Sequence, residues 1–264
     1  MMSTASSTTE SDRDQRTGIY VYGIVTADVE PEPHAQGIGD PPAEVGVVRH
    51  GDIAALVSEV TLDRPLGMPD DLTAHARLLD GTAAVAPVLP LQFGGVVTDT
   101  EAVEKELLAP NHDQFRNALN DLEGRAQYVI RGRYTENSVL QEILDENADA
   151  ARLRAEIRDK PEDATRNERI RLGEIINQEI EAKRAADTRR VAAALSDLDP
   201  TVRERQPTHE EDAVHLALLL ELSREDELLQ ALTELGEEWA ERVRLNLIGP
   251  MAPYDFVTAG EVPE

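Results

Sequence analysis

Val214-His-Leu-Ala-Leu-Leu-Leu-Glu-Leu222 is the stretch on which the fold reading turns. Its near-continuous apolar run is that of a strand in the middle of a sheet, covered on both faces. Downstream, Asp226 to Val243 has helical spacing, with Leu229, Leu232, Leu235 and Trp239 expected on its inner face. Leu245 to Ile248 reads as a last short strand, and Gly249 to Phe256 as an irregular closing segment. Upstream, Val202 to Gln206 reads as a short charged edge strand, and Asp199-Pro200 stops a helix that starts near Pro161. The apolar side of that helix is Leu172, Ile176, Ile180, Val191, Leu195 and Leu198. A stripe this narrow on a helix this long implies packing against another helix or a partner. Before it lie a helix over Ser138 to Arg158 and a strand over Gln127 to Tyr134. The resulting order, βαββαβ, is that of a ferredoxin-like split βαβ domain.

The first half follows a similar plan. Gly18 to Thr26 is β-branched and aromatic and reads as a strand. Val45 to Arg49 and Ile53 to Val60 form a hairpin through His50-Gly51-Asp52. Asp71 to Val85 reads as a helix, with Leu72, Ala76, Leu79 and Ala83 at helical spacing and Asp70 or Asp71 at its start. Pro87 ends it, Val88 to Val97 reads as a buried strand, and Thr100 to Leu122 as a helix broken near Pro110. The expectation is an α+β protein of two domains, each ferredoxin-like or a variant of it, with a long helical segment in the second. Residues 1–17 form a disordered polar leader, 18–123 the first domain and 124–264 the second.

The chain has 264 residues, 26 basic against 52 acidic, a formal net charge of −26. So acidic a chain is a poor partner for nucleic acid, where basic side chains must displace counterions. It is an equally poor partner for an anionic lipid surface. The acidic excess is spread over the whole length, and Lys105, Lys160 and Lys183 are the only lysines. That fits a protein kept soluble in molar salt, where charges are screened over roughly 3 Å. A locally acidic binding protein is the competing reading. With no cysteine, disulfides and thiolate sites are excluded. No apolar run reaches the ~20 residues that span a bilayer. The leader has no secretory apolar segment, so a cytoplasmic location is expected.

No catalytic constellation stands out. None of the six histidines has metal-ligand spacing. His209 with Glu210, Glu211 and Asp212 is the nearest approach to a ligand cluster, and a solvated loop explains it better. His75 has the chemistry of a general base, but its place within a helix favours a structural role. Gly37-Ile-Gly39 lacks the following helix that a phosphate loop needs and reads as turn chemistry. Neither cofactor nor metal is expected. Two apolar segments that lie in loops draw attention instead: Pro87-Val-Leu-Pro-Leu-Gln-Phe-Gly-Gly95 and Gly249-Pro-Met-Ala-Pro-Tyr-Asp-Phe256. Each fits either core closure or an exposed recognition strip.

Those segments also carry a resemblance. Tyr20-Val-Tyr-Gly-Ile24, Asp71-Leu-Thr-Ala-His-Ala-Arg-Leu-Leu79 with Pro87-Val-Leu-Pro-Leu-Gln-Phe-Gly94, and Gly249-Pro-Met-Ala-Pro-Tyr-Asp-Phe-Val257 resemble motifs of the GvpF/GvpL gas vesicle proteins. Arg171-Leu-Gly-Glu174 with Glu181-Ala-Lys-Arg184 is similar to that family's helical region. Gly95 and Val97 depart from the usual continuation of the second motif, and Ala252 from a common proline. The leader and acidic composition point to the GvpL branch of a haloarchaeon. The resemblance implies a non-enzymatic accessory protein, cytoplasmic and vesicle-associated. Its implied partners are the shell protein GvpA and other accessory Gvp proteins. Tyr20, Tyr22, Leu91, Gln92, Phe93 and Gly94 are the candidate partner-binding residues, with the long helix left to dock accessory proteins. A halophilic ferredoxin-like enzyme or ligand-binding protein is the alternative.

Overall fold

The computed structural model describes residues 16–135, 137–239 and 241–257. The expected leader lies outside them except for Arg16 and Thr17, and Thr17 already opens the first strand. The chain groups into two compact units. Among the described residues, one takes in those up to Leu79 together with Leu89–Leu119, the other Asp80–Val88 together with those from Asn120 to Val257. Each is built on a sheet of antiparallel pairings with helices.

The first unit's sheet runs in the order β2(Gly46–His50)-β3(Ile53–Thr61)-β1(Thr17–Thr26)-β4(Val88–Pro90), and β5(Val96–Val97) also pairs with β1. β1 and β3 are buried along most of their length. The hairpin falls at Gly51, whose φ of +62° is the left-handed turn conformation. α1 spans Pro69–Ala83. Proline at its first position costs no helical hydrogen bond.

Its buried face differs from the one the apolar spacing predicts. Asp71, His75, Leu79 and Ala83 face inward, while Leu72 is 48% exposed. Two polar residues are buried because each finds partners there. The predicted strand Val88–Val97 is also interrupted: the Leu91 N–H donates to the Tyr22 carbonyl, the Val21 N–H to Gly95, and the residues between bulge away from β1. The predicted break near Pro110 does not occur. Helix continues from α2(Thr100–Ala102) to α3(Ala109–Asp121) through a wider π turn at Val103–Leu108. The Ala109 N–H reaches Glu104, five residues back. That wider turn ends at Leu108, and after Ala109 comes Pro110, which has no N–H to place in the ladder.

In the second unit the order is β7(Thr201–Glu204)-β8(Asp212–Glu221)-β6(Arg125–Tyr134)-β9(Val243–Met251), all antiparallel. β8 is an inner strand and β7 an edge, as the sequence indicates. The predicted helix Ser138–Arg158 is two helices, α4(Ser138–Glu146) and α5(Ala148–Ile157). Asn147 divides them: its side chain accepts from the Asp149 and Ala150 amides and so caps the second. α6 runs over Arg166–Ala194. Leu172 at its start packs with Ile143, Leu144 and Leu153 of α4 and α5, and Ile176 and Ile180 lie beside them. Val191 at its end joins the sheet core around Tyr128, Leu218 and Trp239. The narrow stripe therefore serves two cores in succession. In α7(Glu225–Glu238), Leu228 rather than Leu229 is buried with Leu232 and Leu235.

One ionic network ties these elements together. The buried Asp187 of α6 accepts from the Tyr134 hydroxyl at 2.8 Å and from both terminal nitrogens of Arg242 at 2.9 Å. Arg242 also donates to Glu142 at 2.8 Å, and Lys183 bridges Glu142 and Glu146 at 2.9 and 2.7 Å. Burial, and then the adjoining Asp187 carboxylate, raise the Tyr134 pKa, so the phenol stays a donor. Removing Asp187 leaves the buried Tyr134 hydroxyl without its acceptor and Arg242 with Glu142 as its remaining carboxylate. Asp187→Ala should therefore cost about 3–5 kcal/mol of unfolding free energy. Tyr134→Phe, which removes a single hydrogen bond, should cost about 1 kcal/mol. Urea unfolding of the two variants checks the ranking, and equal costs would show that the network does not hold these elements.

Candidate functional site

The six candidate residues gather beside β1 in the first unit, but not on one surface. Tyr20 and Tyr22 are fully buried and Leu91 is 1% exposed. Phe93 is half-buried, and Gln92 and Gly94 are exposed. The strip is thus an exposed rim of Gln92-Phe93-Gly94 standing on an aromatic floor.

The floor begins with a bulge in β1. The register with β3 shifts between Val21 and Gly23, leaving Tyr22 as the extra residue. Tyr20 and Tyr22 meet edge-on at 4.8 Å between centroids. His75 lies 5.8 Å from Tyr20, and Phe93 lies 5.4 Å from His75 and 5.6 Å from Tyr20. Such edge and tilted arrangements suit the ring quadrupoles.

Tyr20, Tyr22 and His75 are each hydrogen-bonded through a side-chain atom. The Tyr20 hydroxyl lies 2.9 Å from His75 Nδ1 and accepts from the Gly94 N–H at 3.3 Å. Burial lowers the His75 pKa to about 4, so the ring is neutral at physiological pH. A neutral Nδ1 can accept the Tyr20 proton, which leaves that oxygen free to accept from Gly94. The rim is therefore tied to α1 through one phenol. Tyr22 shares a 2.8 Å hydrogen bond with Ser58 and accepts from the Ile38 N–H at 2.7 Å. Gly37 must be glycine here, because a Cβ would sit 1.9 Å from the Tyr22 oxygen.

Asp71 is the second anchor and is 2% exposed. Burial pushes its pKa up, but the Arg64 guanidinium and backbone amides more than offset that, holding the carboxyl below its usual range. Arg64 donates to both oxygens, at 2.6 and 3.0 Å, and the amides of Gly39, Gly67 and Met68 donate at 3.2 Å each. Asp71 and His75, one turn apart on the same helix face, thus fasten two loops and the floor of the strip to α1. Sequence reasoning missed Asp71 in this role. The sequence marked Asp71 only as a candidate for the start of the helix, with Arg64 and Gly67 a few residues before it.

Among the described residues, no group of three or more His, Asp or Glu is placed to hold a metal ion, and no helix is long and apolar enough to cross a membrane. His209 sits instead in a loop whose amides, with those of Thr208, bind the buried Asp212 carboxylate. The His209–Asp212 stretch, expected as a solvated loop, is thus a capped turn at the start of β8 with Asp212 buried in it.

Comparison with known proteins converges on one family. The profile of the family described as "Gas vesicle synthesis protein GvpL/GvpF" matches residues 18–258. Gas vesicle protein F of a Streptomyces sp. is 31% identical over 242 residues, covering 90% of this chain and 98% of that protein. Gas vesicle protein L of the same organism is 28% identical, covering 92% of this chain and 93% of that protein. The crystal structure of GvpF from an Anabaena sp. superposes with a TM-score of 0.78 at 24% identity, over 93% of this chain and all of the other.

Two measurements check the floor. Gly37→Ala should destabilise by about 1–3 kcal/mol through overpacking, and Tyr22→Phe in the same chain should return part of the loss, because the oxygen that clashes is gone. No recovery would place the strain elsewhere. The second is a pH profile. The folded-state pKa of His75 lies below its ordinary 6.5, so its contribution is complete above pH 6.5. It is lost as the pH falls toward about 4, where only the unfolded chain is readily protonated. The loss should be on the order of 3 kcal/mol, and His75→Phe should flatten that part of the stability curve. Parallel curves for the two proteins would contradict a buried neutral imidazole.

Proposed function

The chain belongs to the gas vesicle synthesis protein GvpL/GvpF family, and on that premise we propose that it works in gas vesicle formation by binding the shell protein GvpA and other accessory Gvp proteins. It acts as a non-enzymatic accessory protein at the growing vesicle. The observation that carries this reading is the Gln92-Phe93-Gly94 rim, an apolar ring half out of a body of strongly acidic composition. A subunit that polymerises exposes apolar surface before it assembles, and such surface aggregates unless covered. The rim offers a small apolar contact, while a net charge of −26 keeps the pair in solution.

The two buried titratable groups near the rim support binding over catalysis. Asp71 is saturated by Arg64 and backbone amides, and His75 is engaged by Tyr20. Within this reading, residues 18–123 form the shell-binding domain, with Tyr20, Tyr22 and Leu91 supporting the rim from beneath. Residues 124–264 form the second domain, which we read as ferredoxin-like from its βαββαβ order and its sheet order of second, third, first and fourth strands. The first domain is a variant of the same plan. The long helix α6 is assigned to other accessory proteins. The working environment is a cytoplasm at molar salt, which fits the even acidic excess.

The test is capture of purified GvpA by the full chain at high salt. Phe93→Glu should reduce capture at least about tenfold, the equivalent of some 1.4 kcal/mol, with an unchanged circular dichroism spectrum. Undiminished capture by a folded variant would remove the rim from the contact.

A further inference from the structure

β9 is the last strand of its sheet. It pairs with β6 on one side, and among the described residues no strand pairs with the other. Two open cavities meet along that free edge. One, of about 680 Å³, is bordered by Arg131, Arg133, Arg244 and Asn246, with Glu211 as its single acidic residue. The other, of about 500 Å³, lies between β9 and α7 and is lined by Leu229, Leu232, Leu245 and Leu247. Gly236 widens it, since a Cβ there would meet nothing within 4 Å. Leu229 is 45% exposed, an unusual state for a leucine beside its own sheet.

Charge at this edge runs against that of the chain. Arg133 and Arg244 stand directly opposite each other in the β6–β9 register, and like charges so placed repel. Arg133 is partly balanced by Asp212 at 3.4 Å, and Arg131 is held by Thr208 at 2.7 Å. Arg244 is exposed and has no ion pair among the described residues. Natural edges are commonly blunted by lysine, proline or a covering element. Before Pro250 this one carries only Arg244.

We propose that the free edge of β9 receives an extended segment of a partner protein in which acidic and aliphatic side chains alternate. A strand added here pairs its backbone with β9, and its side chains fall alternately on the two faces. Those on one face bring carboxylates to Arg244 and Arg133, relieving their mutual repulsion through charge-assisted hydrogen bonds. Those on the other cover Leu229, Leu245 and Leu247. This edge belongs to the second unit, and the inference does not depend on the rim at Phe93.

Fluorescence anisotropy with the full chain and labelled nonapeptides tests it. A peptide of alternating glutamate and valine should bind, and its lysine–valine counterpart at least about tenfold more weakly. Methylating the amides on one edge of the glutamate peptide should cause a similar loss. Arg244→Glu should weaken the glutamate peptide by about tenfold, whereas Arg116→Glu, in the first unit, should leave it unchanged. No binding, equal binding of the two charge types, or an unaffected Arg244→Glu variant would overturn the proposal. So would light scattering that shows a dimer abolished by Arg244→Glu, because a second copy of the chain would then occupy the edge.

Discussion

The buried carboxylate of Asp71 is the interaction on which the first unit depends. A charge placed 2% exposed in an apolar interior is costly unless its lone pairs are filled. Here Arg64 and three backbone amides fill them. Those donors come from two loops that have little secondary structure of their own. The helix is therefore fixed against the loops by one residue, and His75, a turn later, is presented to Tyr20. The exposed rim gets its position from that chain of contacts: α1 to His75, His75 to Tyr20, Tyr20 to the Gly94 amide.

The second unit uses the same device in a different setting. Asp187 is buried within α6, where a polar residue would ordinarily face water, and it gathers Tyr134 and Arg242. Arg242 in turn lies 5.4 Å from the Tyr134 ring centre and 5.9 Å from that of Trp239, so its charge also meets aromatic faces. β9 pairs with β6 beside this anchored core, and among the described residues its outer edge is free.

Strand positions were readable from the sequence because β-branched and aromatic runs between turn residues have few other uses. β1, β3, β6 and β8 fall where those runs fall. The misreadings have two physical causes. A hydrophobicity pattern assigns polar residues to the outside, and here Asp71, His75 and Asp187 are inside because each is paired. Leu72 and Leu229 were accordingly placed in the core and are exposed. Local capping was the other blind spot: Asn147 splits one helix into two through its own side chain. The rim was legible as an apolar stretch among prolines and glycines. That Tyr20, Tyr22 and Leu91 lie beneath it was not, because burial depends on α1 and on the loop at Gly37.

In the proposed function the shell protein is held at the rim and not across the body of the molecule. Hydrogen–deuterium exchange of the full chain, with and without GvpA, addresses it directly. Slowed exchange is expected at the amides from Gln92 to Gly95, with the amides of α6 little changed. Protection confined to other segments, with the rim exchanging as fast in the complex as alone, would contradict it.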